Sequence, residues 1–99
     1  MIVYKLFKIR SNGTIGPLFI NKRQVIQPDR WYEAELHETK GFKARLGWHC
    51  TAKPKAPHLS TKGRAWYRVE INDYQPYVRP KSQGGMWYLA QWMKVIEPV

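Results

Sequence analysis

The sequence predicts a mainly β fold: all-β, or α+β with little helix, folded over residues 1–99 as one small domain with a curved antiparallel sheet or a small open barrel. Three features predict it. Short runs rich in β-branched and aromatic residues recur along the chain, turn signals separate them at roughly 8–12-residue intervals, and helical periodicity is nearly absent. About five to seven short strands result from that pattern.

Ile2 to Ile9 alternates and runs into Ser11-Asn12-Gly13, a turn signal, so a strand enters a hairpin there. Thr14 to Ile20 is the returning strand, placed at an edge or a bulge because Pro17 lacks a ladder donor. Asn21 to Gln24 turns the chain, and Val25-Ile26 is a short extended piece. Trp31 to Leu36 has helix formers in Glu, Ala and Leu, but Trp31, Glu33 and Glu35 alternate with Tyr32, Ala34 and Leu36, which favours a strand. After the polar turn His37 to Gly41 comes Phe42 to Cys50, a strand leading into a loop. Pro54 and Pro57 belong to that loop, with a single helical turn possible from His58 to Thr61 before Gly63. Ala65 to Ile71 is the clearest strand: Ala65, Tyr67, Val69 and Ile71 share one face and Trp66, Arg68 and Glu70 the other. Asn72 to Gly85 reads as a long connection, and Trp87 to Ile96, apolar on both faces, as a closing strand in the middle of the sheet. Trp31, Trp48, Tyr67, Val69, Leu89 and Val95 are the expected core.

A composition 43% hydrophobic and 14% aromatic, with five Trp and six Tyr, is that of a folding chain. The one Cys forms no internal disulfide, and with three scattered His it lacks the paired spacing of a structural zinc site; neither metal nor cofactor is expected. Met1-Ile-Val-Tyr-Lys5 does not resemble a signal peptide, and no apolar run approaches the roughly 18 residues a bilayer span requires, so a cytoplasmic protein is expected. Seventeen Lys and Arg against seven Asp and Glu give a net charge of +10, which suits a polyanionic or acidic partner.

Trp48-His49-Cys50 suggests a nucleophile beside a base, but neighbours on a strand point to opposite faces, which leaves Cys50 as a small buried hydrophobe. His49 could be lifted by Gly47 into a cleft, where an imidazole titrating near neutrality is useful. Glu33, Glu35 and Glu38 form the main acidic cluster and balance nearby cations; Glu70, flanked by aromatics, is the better candidate for chemistry, against a plain role as partner to Arg68 or Arg45. Basic residues alternate with aromatics in Lys5-Leu-Phe-Lys8, Phe42-Lys43-Ala-Arg45, Arg64-Ala-Trp66-Tyr67-Arg68 and Tyr77-Val-Arg79-Pro-Lys81, a pattern that supplies stacking faces and phosphate contacts. Lys53, Lys55, Arg64, Arg79 and Lys81 are the expected nucleic-acid contacts, borne on loops or beside them without a structural task. No phosphate loop or dinucleotide fingerprint is present.

The order Tyr4-Lys5, Trp31-Tyr32-Glu33-Ala34, Gly47-Trp48-His49-Cys50 with Pro54 after it, Tyr67-Arg68-Val69-Glu70 and Met93-Lys94-Val95-Ile96 resembles small phage and prophage proteins with a Gly-Phe-His-Cys-type turn, Trp48 standing where they have Phe. The resemblance implies a phage or mobile-element protein in the cytoplasm of a bacterial host, acting on nucleic acid or host nucleoprotein, including as an anti-CRISPR-like inhibitor of immunity. It transfers no activity. A more distant similarity, to ADP-ribosyltransferase-like folds with an early His and a late Glu, implies a nucleotide-binding enzyme in which His49 and Glu70, with Arg45, line a cleft. A binder of an acidic host protein is the third reading; DNA, RNA and protein partners stay open.

Overall fold

The computed structural model describes residues 1–17, 24–34 and 47–99, and in it the chain is mainly β, with one antiparallel sheet of six strands. The strands are β1 (Ile2–Ile9), β2 (Ile15–Gly16), β3 (Trp31–Glu33), β4 (Trp48–Thr51), β5 (Arg64–Val78) and β6 (Met86–Pro98). Expectations for Leu18 to Arg23, the turn at His37 to Gly41, the strand from Phe42, and Glu35, Glu38 and Arg45 lie outside the described residues.

The first hairpin forms as its residues predict. Asn12 Oδ1 accepts hydrogen bonds from the Thr14 amide at 3.1 Å and its hydroxyl at 2.7 Å, and Gly13 takes the left-handed φ of 84° that closes the turn. The returning strand is short. Gly16 gives passage to the Arg10 guanidinium, which donates to the carbonyls of Ile15 at 3.0 Å and Gln24 at 2.6 Å; a Cβ at Gly16 would collide with it. Ile15 also bridges Ile26.

The long ribbon of β5 and β6 organises the rest. On one side of it β1 pairs with β5 from Ile2↔Glu70 to Lys8↔Arg64; on the other, β4 and β3 pair with β6 one after the other. The pair Tyr4↔Thr51 joins β1 to β4, so the pairings run in a circuit through β1, β5, β6 and β4. Among the described residues that join is one pair long, and beside it the Lys5 ammonium donates to the His49 carbonyl at 2.8 Å. The register shifts between Arg68 and Val69, which pair with Glu97 and Val95 and leave Ile96 as the extra residue of a bulge; bulges bend a ribbon. Val3, Phe7, Cys50, Val69, Ile71, Ala90, Met93 and Val95 fill the interior.

Three expectations are corrected. Asn72 to Gly85 is not a long connection: β5 continues to Val78, and only Arg79 to Gly85 turns, around a short 3-10 segment, Lys81–Gln83. The polar run and Pro76 are tolerated because β1 pairs with β5 only as far as Glu70, so among the described residues β6 alone pairs with β5 beyond Ile71 and a missing donor costs little. Between Pro54 and Thr61 no helix forms; the chain turns with the Leu59 amide donating to the Ala56 carbonyl at 2.9 Å. In the core, Val69 and Val95 are fully buried and Trp48 and Tyr67 pack against them, but Trp31 is exposed, because it sits on the outer face opposite Lys94, and Leu89 is half-buried opposite His49.

Candidate nucleic-acid interface

The tip of the β5–β6 hairpin and the loop that follows β4 meet. Alternation puts Tyr77 and Arg79 on one face, and the register sets Trp87 directly opposite Tyr77. On the other flank of β6, Thr51 pairs with Trp87 and His49 with Leu89, so His49 reaches the same face. Its ring stands edge-on to Tyr77, centroids 6.0 Å apart, and to Trp87 at 6.5 Å. The loop then folds over: Ala52 donates to the Met86 carbonyl at 3.3 Å, and His58 lays its ring 6.0 Å from Trp87. Gly84, at φ 97°, lets the two loops touch, since a Cβ there would lie 3.2 Å from both the Lys55 carbonyl and the indole nitrogen. That indole nitrogen donates to the Gln83 carbonyl at 2.6 Å and ties Trp87 to the tip.

Onto this aromatic base the Arg79 guanidinium is stacked, 5.3 Å from the Trp87 ring and 5.6 Å from Tyr77. Lys53 and Lys55 are exposed on the loop after β4, and Lys81 is exposed in the tip turn. No Asp or Glu occurs from 39 to 69 or from 74 to 96, so the segments that build the site bring no carboxylate to it. His58, an exposed residue, is held below the ordinary imidazole value by slight desolvation and, second, by the charge of Arg79.

Four of the five expected contacts, Lys53, Lys55, Arg79 and Lys81, therefore share one end of the molecule. Arg64 does not join them: it starts β5 opposite Lys8, at the far end of that strand from the tip, and donates to the Ser60 carbonyl at 3.1 Å. Nor does Glu70 come to His49. It pairs with Lys94 at 3.2 Å and stands seven residues along β5 from Tyr77, roughly 20 Å of strand contour. Cys50 faces the core, fully buried, its thiol pushed up to about 11 by burial despite the nearby Lys5, so it stays protonated at neutral pH. Lys5 itself is lowered, chiefly by burial. Trp87 and His58 were not singled out from the sequence. Their role follows from the register of a hairpin that reads locally as a loop, although Tyr77-Val-Arg79 carried half of the signal.

Among the described residues no helix is long and apolar enough to cross a membrane, and no three His, Cys, Asp or Glu side chains gather as metal ligands would. Compared with family models, curated proteins and solved structures, the chain has no match.

Proposed function

We propose that this is a non-enzymatic binding protein whose partner is a nucleic acid or a nucleic-acid-bound complex. The observation that carries the reading is the joining of Lys53, Lys55, Arg79 and Lys81 around a histidine and aromatic base in segments free of carboxylates. Self-repulsion among these cations is relieved when a phosphate chain replaces their counterions, and a net charge of +10 acts over about a Debye length, 8 Å at physiological salt. The phage-protein resemblance supplies the setting: the cytoplasm of a bacterial host, with nucleoprotein of the immune machinery as a target and inhibition as the outcome. The nucleotide-enzyme reading has less support, because Glu70 is spent on Lys94.

The test is an anisotropy titration of single-stranded and duplex oligonucleotides at several salt concentrations. Four phosphate contacts on a single strand give a log–log slope of about −3, or roughly a fifty-fold loss of affinity between about 50 and 200 mM salt. Binding without salt dependence contradicts the electrostatic basis. Absence of binding at low salt assigns the cations to an acidic protein surface, for which a pull-down from host lysate is the next measurement.

A further inference from the structure

We propose that His58 and Arg79 form a phosphodiester-binding site on the Trp87 indole, the guanidinium and a protonated imidazole closing on the same phosphate. The inference rests on the nucleic-acid reading and narrows it to one pair of side chains and to one charge state.

Two observations single out the pair. Both groups lie against one ring, the imidazole centroid at 6.0 Å and the guanidinium carbon at 5.3 Å from its centre, and Trp87 is itself buried and fastened to the Gln83 carbonyl. The ring thus presents both from a fixed platform. The second observation is that the donors are not consumed. Arg79 carries five N–H donors in a planar fork suited to two phosphate oxygens, yet among the described residues its guanidinium makes ring contacts only; its backbone amide is what bonds to Gly85. The imidazole of His58 likewise meets Trp87 and no hydrogen-bond acceptor there. A guanidinium turned to a carboxylate would be part of the fold; one set over an indole with no acceptor among the described residues keeps its N–H donors for a ligand.

The charged side chains that the described residues bring to this end act in one direction. Against the indole stand His49 on β4 and Arg79 just beyond β5, with Tyr77 beside both; Lys81 is exposed in the tip turn, and Lys53 and Lys55 on the loop that carries His58. Without a ligand, slight desolvation and the charge of Arg79 both favour the neutral form of the exposed His58. A phosphate between the two groups reverses the local field and favours the imidazolium. Binding therefore takes up a proton, and affinity rises as pH falls through the ordinary imidazole range near 6.5. In the absence of ligand the sign for folding is separate: the folded state binds fewer protons than the unfolded one, so stability is lost as pH drops below about 6.5.

The experiment has two arms. In the first, the His58 ring proton is titrated by NMR with and without sodium sulfate at constant ionic strength, sulfate being a tetrahedral dianion that does not itself titrate in this range. An upward shift of about one pH unit is expected. In the second, oligonucleotide affinity is measured from about pH 7.5 to 5.5 at fixed salt; about tenfold tightening is expected, abolished in His58→Gln and retained in His49→Gln. An unmoved His58 in sulfate, or a pH slope that survives His58→Gln, overturns the site. If oligonucleotide binds with its salt slope while sulfate leaves His58 unmoved, the site fails and the broader reading stands. If sulfate shifts His58 but oligonucleotide does not bind at low salt, the anion site stands and the nucleic-acid reading fails.

Discussion

The β5–β6 ribbon has two ends built from the same kinds of residue to opposite effect. At the base, β1 flanks β5 and β3 flanks β6; Val69, Ile71, Met93 and Val95 are buried on the inner face, and the outer face pairs its charges, Glu70 with Lys94 and Arg68 with Glu97. At the tip, β1 no longer pairs with β5, and a cation there meets rings rather than carboxylates. Neutralised charge on a well-flanked ribbon belongs to the fold. Charge stacked on aromatics at an open tip does little for folding, and the contrast separates the residues that hold the molecule together from those available to a partner.

The sharpest way to break this division is to cut each end. Met93 is fully buried and pairs with both Tyr32 and Ile71, so Met93→Ala should cost about 2–5 kcal/mol in urea unfolding through lost contacts and a residual cavity. Val78→Ala at the tip, where the side chain is 73% exposed, should stay within about 0.5 kcal/mol. Similar costs at the two ends would dissolve the distinction.

The next largest effect is on binding. Replacing Lys53, Lys55, Arg79 and Lys81 together by Gln should weaken oligonucleotide affinity roughly a hundredfold at low salt and flatten the salt slope, with little change in melting temperature. Arg68→Gln with Lys94→Gln removes two charges from the base and should lower affinity only a few-fold, the share due to net charge alone. Equal losses from both variants would mean that charge acts without location.

How much of this was legible follows the same division. The base end was readable because Val69 and Ile71 alternate with Arg68 and Glu70, the period of a strand with one face buried. The tip was misread because Asn72, Asp73, Pro76 and the glycines are what loops are made of, and a strand that among the described residues pairs there with β6 alone absorbs them. Trp31 illustrates a different failure: large aromatics favour the interior on average, but strand register placed this one on the outside over Lys94, 5.2 Å from its ring. The loop cations were legible as available charge. The loop carrying Lys55 reaches the tip at Gly84, whereas β5 carries Arg64 to the other end.

The contact between loop and tip is tested at Gly84. Gly84→Ala places a Cβ against the Lys55 carbonyl and the Trp87 nitrogen in a left-handed backbone, and should cost about 1–2 kcal/mol from conformation, with any displacement of the loop added. Gly85, at φ 76°, has nothing within 4 Å of such a Cβ, so Gly85→Ala should pay the conformational part alone. Calorimetric melting gives the first comparison. Affinity gives the second: Gly84→Ala should loosen oligonucleotide binding several-fold by moving Lys55 and His58 away from Arg79, and Gly85→Ala should not.

The smallest expected effect falls on Glu70, and it bears on the enzyme reading. Its partner Lys94 lies 3.2 Å away, and their side chains are 37% and 28% exposed. Pairs this wet contribute about 0–1 kcal/mol, because water screens the attraction and two long side chains lose freedom. Glu70→Gln should therefore cost well under 1 kcal/mol in urea unfolding. Lys94→Gln should cost slightly more, since Lys94 also sits over Trp31 and loses that contact with the ion pair. A double-mutant cycle isolates the pair, and a coupling of about 0.5 kcal/mol is expected. Glu70→Gln also raises the net charge from +10 to +11, so it should leave oligonucleotide affinity unchanged or slightly tighter. A catalytic or ribose-binding carboxylate would behave otherwise: a nicotinamide dinucleotide would raise the melting temperature of the parent protein, and Glu70→Gln would abolish that rise while barely altering the unliganded melt. That result would move the functional centre from the tip of the ribbon to its base.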